Sequence, residues 1–239
     1  MKYKMNALSC SLKKWNITLT DIQLIQFTQY YELLLEWNSF MNLTAITELQ
    51  EVIDKHFVDS LTIANYITLK KQTILDLGTG AGFPGIPIKI LYPNVEIVLL
   101  DSLNKRIKFL NTVIEKLQLQ NIRAVHGRAE DLSHQIAYRE QFDICTSRAV
   151  ANLSTLSEYC IPFVKEGGYF ISYKTEAAKE EINEAKRAVY VLGGKIEKIE
   201  ELKLPNTDMG RTLVIIKKIE KTKDKYPRKA GIPSKEPIN

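Results

Sequence analysis

The sequence predicts an α/β protein with a seven-stranded, mostly parallel sheet that ends in an antiparallel hairpin. Two observations carry this prediction. From residue 73 onward, short apolar runs alternate with helical stretches, the pattern of βαβ units whose parallel strands are covered on both faces. The last two apolar runs, over residues 195–204 and 211–219, are joined by a short loop that leaves no room for a crossover helix. These two strands must therefore pair antiparallel.

Residues 1–70 are predicted to form a helical N-terminal extension, because no strand pattern precedes residue 73. The stretch Thr20–Gln23 has the form of a capping box, and apolar residues recur on one face of the sequence that follows, which predicts a helix to about Asn38. A second capping box at Thr47–Gln50 predicts another helix. One more helical stretch should end near Tyr66.

The remaining elements follow from apolar runs bounded by turn residues. We predict strands over residues 73–77, 95–101, 122–126, 142–147, 168–173, 195–204 and 211–219. The helices between them should span residues 85–91, 104–118, 153–160 and 176–191. Together these elements make a domain over residues 71–220. A basic tail over residues 221–239 is expected to be extended or partly disordered, because it contains three prolines.

Composition indicates a soluble globular protein, with 45% apolar and 26% charged residues. No apolar run approaches the roughly 20 residues of a membrane helix, and the N-terminus lacks the apolar core of a signal peptide. The three cysteines, Cys10, Cys145 and Cys160, are widely spaced and odd in number, which favours a reducing compartment without a zinc site. We therefore expect a cytoplasmic protein that needs no metal and does not bind membranes.

The net charge of +5 is concentrated at the C-terminus. Residues 217–239 contain eight Lys/Arg and three Asp/Glu, a local excess that equals that of the whole chain. Such an end is either a solubilising tail or an arm that contacts phosphates. Within it, Tyr226, Arg228 and Lys229 are our candidates for RNA contact, because an aromatic ring beside two cations can stack on a base and also hold phosphates.

A glycine-rich loop is the candidate ligand site. The predicted strand 73–77 runs into Gly78, Gly80 and Gly82, and a helix should start at Pro84–Gly85. This strand–loop–helix layout is typical of the nucleotide crevice of a doubly wound sheet; a plain glycine-rich turn is the simpler alternative. The loop has no lysine placed to hold a transferring phosphate, and its glycine spacing differs from that of dinucleotide-binding loops.

Two carboxylates near this loop favour a ligand without phosphates. Asp76 precedes the loop, where it would repel a pyrophosphate and attract an ammonium group. Asp101 ends the second predicted strand, 23 positions after Gly78, a spacing typical of a carboxylate that holds ribose hydroxyls. A ligand with an amino group and a ribose but no phosphates is S-adenosylmethionine. The whole pattern matches the Rossmann-like fold of class I S-adenosylmethionine-dependent methyltransferases, whose seventh strand is antiparallel.

The loops after the other parallel strands should converge on the same crevice. We expect Phe83 to pack on an apolar face of the ligand and Glu130 or Asp131 to orient an adenine; the alternative for either acid is a charge at a helix N-terminus. The loop after the fourth strand carries Arg148, which suits a phosphate, a carboxylate or the O6/N7 edge of guanine. His56 and Cys145 are expected to be structural.

Several blocks of the sequence resemble the RsmG (GidB) family, the bacterial methyltransferases that act on N7 of a guanine in small-subunit ribosomal RNA. The resemblance covers about residues 17–237. It is carried by Trp37–Asn38, Asn42–Ile46, His56–Leu61, Gly80–Lys89, Asp101–Arg106, His126–Asp131, Arg148–Ala151 and Tyr226–Pro233.

The resemblance implies a function as well as a fold. Family members bind S-adenosylmethionine at the positions of Gly78, Phe83, Ala129, Glu130 and Arg148, and their substrate is a guanine in the decoding-region loop of 16S rRNA. Guanine N7 has a lone pair and no proton, so the reaction needs no general base and can rest on proximity. Arg148 would then position the substrate or the cofactor. We expect a monomer that acts on 16S rRNA or on the small ribosomal subunit.

Three other functions remain open at this stage. A methyltransferase of the same fold can act on a small molecule or a protein, although the basic tail disfavours this. A dinucleotide oxidoreductase is disfavoured by Asp76 and by the glycine spacing. A non-enzymatic RNA-binding module with a vestigial nucleotide fold would bind no S-adenosylmethionine.

Overall fold

The structure is a computed structural model and describes residues 5–148 and 151–238. These residues form one seven-stranded sheet with the order β3-β2-β1-β4-β5-β7-β6. All neighbouring strands are parallel except at β7, which runs antiparallel to both β5 and β6. The predicted fold class is confirmed. The strands are β1 (Thr73–Leu77), β2 (Glu96–Asp101), β3 (Ile122–His126), β4 (Phe142–Arg148), β5 (Val164–Thr175), β6 (Gly194–Lys203) and β7 (Gly210–Lys218).

Helices cover both faces of this sheet, as the alternating pattern predicts. They are α1 (Asn6–Lys13), α2 (Asp21–Met41), α3 (Leu49–Val52), α4 (Gly85–Leu91), α5 (Asn104–Lys116), α6 (Ala129–Leu132), α7 (Leu153–Cys160), α8 (Lys179–Val191) and α9 (Ile232–Lys235). The short helices α1, α6 and α9 were not predicted individually from the sequence. Helices α6 and α9 have four residues each, too few to show a helical period.

Helix α2 begins at the predicted capping box. The Thr20 hydroxyl accepts a hydrogen bond from the Gln23 N–H, and the Gln23 side chain accepts one from the Thr20 N–H. The helix is longer than predicted and ends where Asn42 adopts a left-handed conformation. The Gln23 side-chain amide also donates to the Ile90 carbonyl, so the start of α2 is tied directly to the end of α4.

The second predicted capping box does not form. Helix α3 starts after Glu48, whose side chain makes no capping bond, while the Tyr31 hydroxyl fixes this segment by donating to the Thr47 carbonyl. A π-helical segment, Ile53–Val58, follows α3 directly, and a 3₁₀ turn, Leu61–Asn65, comes next. Single π-helical turns are rare and recur at functional sites.

The N-terminal helices share a hydrophobic core with one face of the sheet. Phe27, Tyr30 and Phe57 are fully buried and belong to the same cluster as Ile74 and Ile86. The burial of several aromatic side chains, each worth roughly 1.5–3 kcal/mol, therefore depends on both parts of the chain. The proposed division into an extension, a domain and a tail stays a prediction.

The C-terminal tail is packed on the opposite face, so the prediction of an extended or partly disordered tail is wrong. Tyr226 is buried in the cluster formed by α7, α8 and the sheet. Arg228 forms an ion pair with the buried carboxylate of Glu158, and the Pro227 carbonyl contacts His134 at 2.9 Å. These contacts hold the segment in place despite its prolines and charges. The sequence did not reveal them, because the buried partners of the segment are far away along the chain.

No helix in the described part of the chain is long and apolar enough to cross a membrane.

Candidate functional site

A cleft opens at the carboxyl ends of β1, β2 and β4 and has a volume of about 430 Å³. This is where ligands bind in open parallel sheets. The glycine loop after β1 forms its floor, Asp101 and Ser102 line one side, and Gly127–Ala129 line another. The cleft is completed by Leu43, Thr44, His56, Phe83, Arg106, Arg148 and Tyr159.

The glycine loop has backbone angles that side chains rarely allow. Gly78, Gly80 and Gly82 have φ values of 69°, 61° and 99°, in the region that glycine enters without strain. A Cβ at Gly82 would also lie 2.8 Å from the Tyr30 hydroxyl oxygen. That hydroxyl donates to the Ala81 carbonyl at 2.5 Å, so α2 supports the loop from below.

Asp76 lies beneath the loop and does not line the cleft. Its carboxylate is fully buried and accepts hydrogen bonds from the Gly85 N–H at 2.8 Å and from the Thr79 hydroxyl at 2.6 Å. Burial raises the pKa of Asp76 to about 6, so the group is mainly ionised at neutral pH. Its acceptors are taken up by the Gly85 N–H and by the hydroxyls of Thr79 and Thr146, so a direct contact between Asp76 and an ammonium group stays a prediction.

Asp101 lies at the strand tip, as predicted, and does line the cleft. One of its oxygens accepts the Gly80 N–H at 2.9 Å, and the other accepts the Leu103 N–H at 2.9 Å. Arg106 pairs with the same carboxylate at 3.1 Å. Asp101 therefore fixes the loop from the ligand side, and Arg106 brings a cation to the cleft that sequence reasoning missed. A contact between Asp101 and a ribose stays a prediction.

Arg148 is held in one position at the end of β4. Its guanidinium donates to the Lys55 carbonyl at 2.9 Å and to the Asp59 carboxylate at 3.1 Å, and it lies 3.1 Å from Nδ1 of His56. The guanidinium carbon lies 5.2 Å from the centre of the Phe83 ring, within the range of a cation–π contact. Phe83 and Arg148, each predicted separately as a site residue, thus lie together in one wall of the cleft.

His56 stacks on Phe83 with ring centres 4.4 Å apart. Nδ1 of His56 lies 3.1 Å from both the Arg148 guanidinium and the Lys55 carbonyl. Because a guanidinium can only donate and the Lys55 carbonyl already accepts from Arg148, we assign Nδ1 as the acceptor and place the proton on Nε2, which lies 3.0 Å from the Thr44 hydroxyl. Burial, reinforced by the charge of Arg148, lowers the pKa of His56 to about 3. The imidazole is therefore neutral at physiological pH, and it orients Arg148, in agreement with the structural role expected for it.

Neither acid expected to orient an adenine lines the cleft. Glu130 turns toward the tail and accepts the Gly231 N–H at 3.3 Å, and Asp131 is exposed. Ala129, the cofactor position implied by the family resemblance, does line it. Tyr159, on α7, also lines the cleft. Nothing in the sequence indicated that Tyr159 belongs to the site, because a single tyrosine on a buried helix looks like any other core residue.

The candidate RNA contacts in the tail are held by other parts of the chain. Tyr226 is buried, and the Arg228 guanidinium, whose side chain is 27% exposed, is engaged by Glu158 and by the Glu236 carbonyl. Contact of these residues with RNA stays a prediction. Lys229 is exposed. Ala149 and Val150, from the block after β4, lie outside the described residues. Within the described ranges, no cluster of three or more His, Cys, Asp or Glu residues is arranged to hold a metal ion.

The state of His56 predicts a specific sensitivity to acid. Its pKa is about 3 in the folded protein and about 6.5 when unfolded, so the unfolded chain binds more protons between these values. The stability that depends on neutral His56 is complete above pH 6.5 and is lost as the pH falls toward 3. When the pH falls from 7 to 5, the free energy of unfolding should decrease by about 2 kcal/mol more in the native protein than in a His56→Asn variant.

Urea denaturation at both pH values measures this difference. Asparagine keeps an acceptor near Nδ1 but takes up no proton. Equal losses in the native protein and the variant would show that His56 does not titrate in this range.

A family model described as GidB, rRNA small subunit methyltransferase G, matches residues 23–210. Curated relatives named ribosomal RNA small subunit methyltransferase G match over almost their full length. The protein of Lachnoclostridium phytofermentans is 55% identical over 228 residues, which cover 95% of this chain and 94% of its own. The protein of Desulforamulus reducens is 52% identical over 239 residues, which cover 98% of this chain and 100% of its own.

Solved structures with much lower identity share the fold. M. jannaschii TYW2 in complex with AdoMet is 14% identical with a TM-score of 0.55, and the match covers 73% of this chain and 80% of that one. The [4+2]-cyclase SpnF is 14% identical with a TM-score of 0.57, and the match covers 84% of this chain and 98% of that one. Because a methyltransferase-like fold also serves a cyclase, the fold alone does not define the reaction.

Proposed function

Because this chain belongs to the GidB family of rRNA small subunit methyltransferases, we propose that it transfers a methyl group from S-adenosylmethionine to N7 of a guanine in the decoding-region loop of 16S rRNA. The family model and the full-length relatives support the substrate class. The observation that best supports the proposed reaction is the cleft, in which a glycine loop, Phe83, Asp101 and Arg148 converge. We further expect a cytoplasmic monomer.

The residues of the cleft fit S-adenosylmethionine. A volume of about 430 Å³ lies within the range of roughly 300–1,000 Å³ for small-ligand sites. The glycine loop lets a ligand approach its backbone, and Asp101 and Ala129 border the space on either side. Gly78, Gly80 and Phe83 would contact the ligand directly, while Asp76 and Glu130 would act through the loop and the tail that they hold.

Catalysis would depend on position rather than on a base. When bound, S-adenosylmethionine supplies an electrophilic methyl group. Guanine N7 carries a free lone pair, so the protein has no proton to remove from it. The neutral imidazole of His56 is already engaged by Arg148 and Thr44, which agrees with this scheme. Arg148, fixed by three acceptors, would hold the guanine or the cofactor in line for transfer.

Asp101→Ala should weaken cofactor binding strongly. The change removes the acceptor of the Gly80 N–H and the partner of Arg106, so the loop loses the group that fixes it from the ligand side. Leaving buried donors unmatched costs roughly 1–3 kcal/mol, or about 5- to 150-fold in affinity. Calorimetry with S-adenosylmethionine measures the effect, and Glu184→Ala, at an exposed acid on α8, is the control. Unchanged affinity in a folded Asp101→Ala protein would remove Asp101 from the site.

The proposed reaction is tested by mapping 7-methylguanine in ribosomal RNA. Small-subunit RNA from cells that lack the protein should gain one 7-methylguanine after incubation with protein and S-adenosylmethionine, and the yield should not fall in EDTA if the RNA fold is kept intact. Methylation at another atom or on another molecule would contradict the proposal.

A further inference from the structure

A second cavity lies next to the cofactor cleft and has a volume of about 360 Å³. It opens at the carboxyl end of β5, where Tyr173, Lys174 and Thr175 line it. The two cavities share His56 and Arg148 as wall residues. Whatever occupies the second cavity therefore lies against the same side chains that border the cofactor cleft.

The lining of this cavity is strongly basic. Lys55, Arg148, Lys174 and Arg211 contribute four cations, and Asp59 contributes one carboxylate. His56 adds no charge, because its pKa is far below neutrality. The carboxylates that pair with Lys55 and Lys174 belong to Glu51 and Glu181, and neither of these residues lines the cavity. Counted with these partners, the four cations face three carboxylates, so the cavity keeps a net positive charge that favours an anion.

Buried contacts hold the cations in place before any ligand arrives. Asp59 is 4% exposed and accepts from Arg148 at 3.1 Å and from Arg211 Nε at 3.0 Å. Lys174 donates to the Ala151 carbonyl at 2.8 Å and to Glu181 at 2.6 Å. Arg211 lines the cavity and is anchored through Nε and Nη1. Side chains that are held in this way lose little freedom on binding.

We infer that this cavity receives one nucleotide turned out of the RNA substrate, with its phosphate on the side of Lys55, Lys174 and Arg211. The inference rests on the proposed function. The volume of the cavity suits a single nucleotide rather than a nucleic-acid helix. Ile46 and Tyr173 give the basic cavity an apolar side on which a base can lie. A base turned into this cavity would contact His56 and Arg148, the two residues that also line the cofactor cleft.

Replacing Lys55 by glutamine tests the inference with little structural disturbance. Its side chain is 35% exposed and pairs only with exposed Glu51 in the described part of the chain, while its carbonyl contact with Arg148 is unaffected. Arg211→Gln is the second variant, with Arg211→Lys as the conservative form. Lys186→Gln, at an exposed position on α8 that lines neither cavity, controls for the loss of one charge.

The assay uses isolated small ribosomal subunits that lack the methylation. For Lys55→Gln we expect a KM for subunits raised at least threefold, an affinity for S-adenosylmethionine within twofold of the native value, and a log–log salt slope of binding lowered by about 0.7–0.9. Arg211→Gln should show the same pattern, and Arg211→Lys should recover part of the loss. Lys186→Gln should match the native protein.

Two results would overturn the inference in distinguishable ways. If the native protein methylates the subunits but Lys55→Gln and Arg211→Gln keep the native KM and salt slope, the nucleotide binds elsewhere while the proposed function stands. If the native protein methylates no small-subunit RNA, the proposed function fails and this inference fails with it.

Discussion

Asp76→Ala is expected to lower the free energy of unfolding by about 2–6 kcal/mol, because it leaves two buried donors, the Gly85 N–H and the Thr79 hydroxyl, without their acceptor. The same change should loosen the glycine loop and so weaken S-adenosylmethionine binding more than tenfold. Chemical denaturation and calorimetry measure the two effects. The effect on binding should be indirect, since the carboxylate does not reach the cleft.

Asp76→Asn separates this supporting role from a direct ionic contact. The amide oxygen can still accept from Gly85 and Thr79, and the amide nitrogen can donate to the Thr146 hydroxyl, which lies 3.4 Å from the other carboxylate oxygen. We therefore expect this variant to keep most of its stability and cofactor affinity. If Asp76→Asn and Asp76→Ala weaken S-adenosylmethionine binding equally and both variants stay folded, the charge of Asp76 itself binds the ligand, as the sequence suggested.

Arg228→Ala should lower the free energy of unfolding by about 3 kcal/mol. The Glu158 side chain is 1% exposed, and Arg228 is its cationic partner. The substitution therefore leaves the buried carboxylate of Glu158 without a cation. Breaking a buried ion pair costs roughly 3–5 kcal/mol, and we take the lower end because Arg228 is 27% exposed. The melting temperature should fall by about 6–12 °C for a chain of this size.

The matched control is Lys229→Ala, at the exposed neighbouring cation, which should melt like the native protein. In the double variant Arg228→Ala/Glu158→Gln the stranded charge is gone, so part of the loss should be recovered. If Arg228→Ala keeps its stability but weakens RNA binding with a flatter salt dependence, the tail acts as an RNA arm after all.

The sequence was sufficient where local pattern determines structure. All seven strands lie within a few residues of their predicted positions, because short apolar runs between glycines and polar turns have few alternatives in an α/β chain. The meeting of the glycine loop, Asp101, Phe83 and Arg148 also followed, since the carboxyl ends of parallel strands converge at one edge.

The contacts that the sequence did not predict are long-range. Whether Asp76 faces the ligand or the backbone depends on Gly85 folding back over it, where a Cβ would lie 2.8 Å from the carboxylate. Whether Arg228 meets RNA or protein depends on Glu158, 70 positions away. A charged residue has the same signature in the sequence whether its partner is a buried acid or a phosphate, so only the packed structure decides between them.

The sharing of one core between the N-terminal helices and the sheet has a consequence for synthesis of the chain. Tyr30 emerges from the ribosome 51 residues ahead of Ala81, whose carbonyl it binds, and at about 5–20 residues per second that interval lasts several seconds. During it, the apolar face of α2 can pack on Phe57 but not on the sheet, so exposed apolar surface makes the nascent chain prone to aggregation at this length. The cationic partner of Glu158 is Arg228, 70 positions later in the chain, so Glu158 has no partner for its charge until nearly the whole chain has been made.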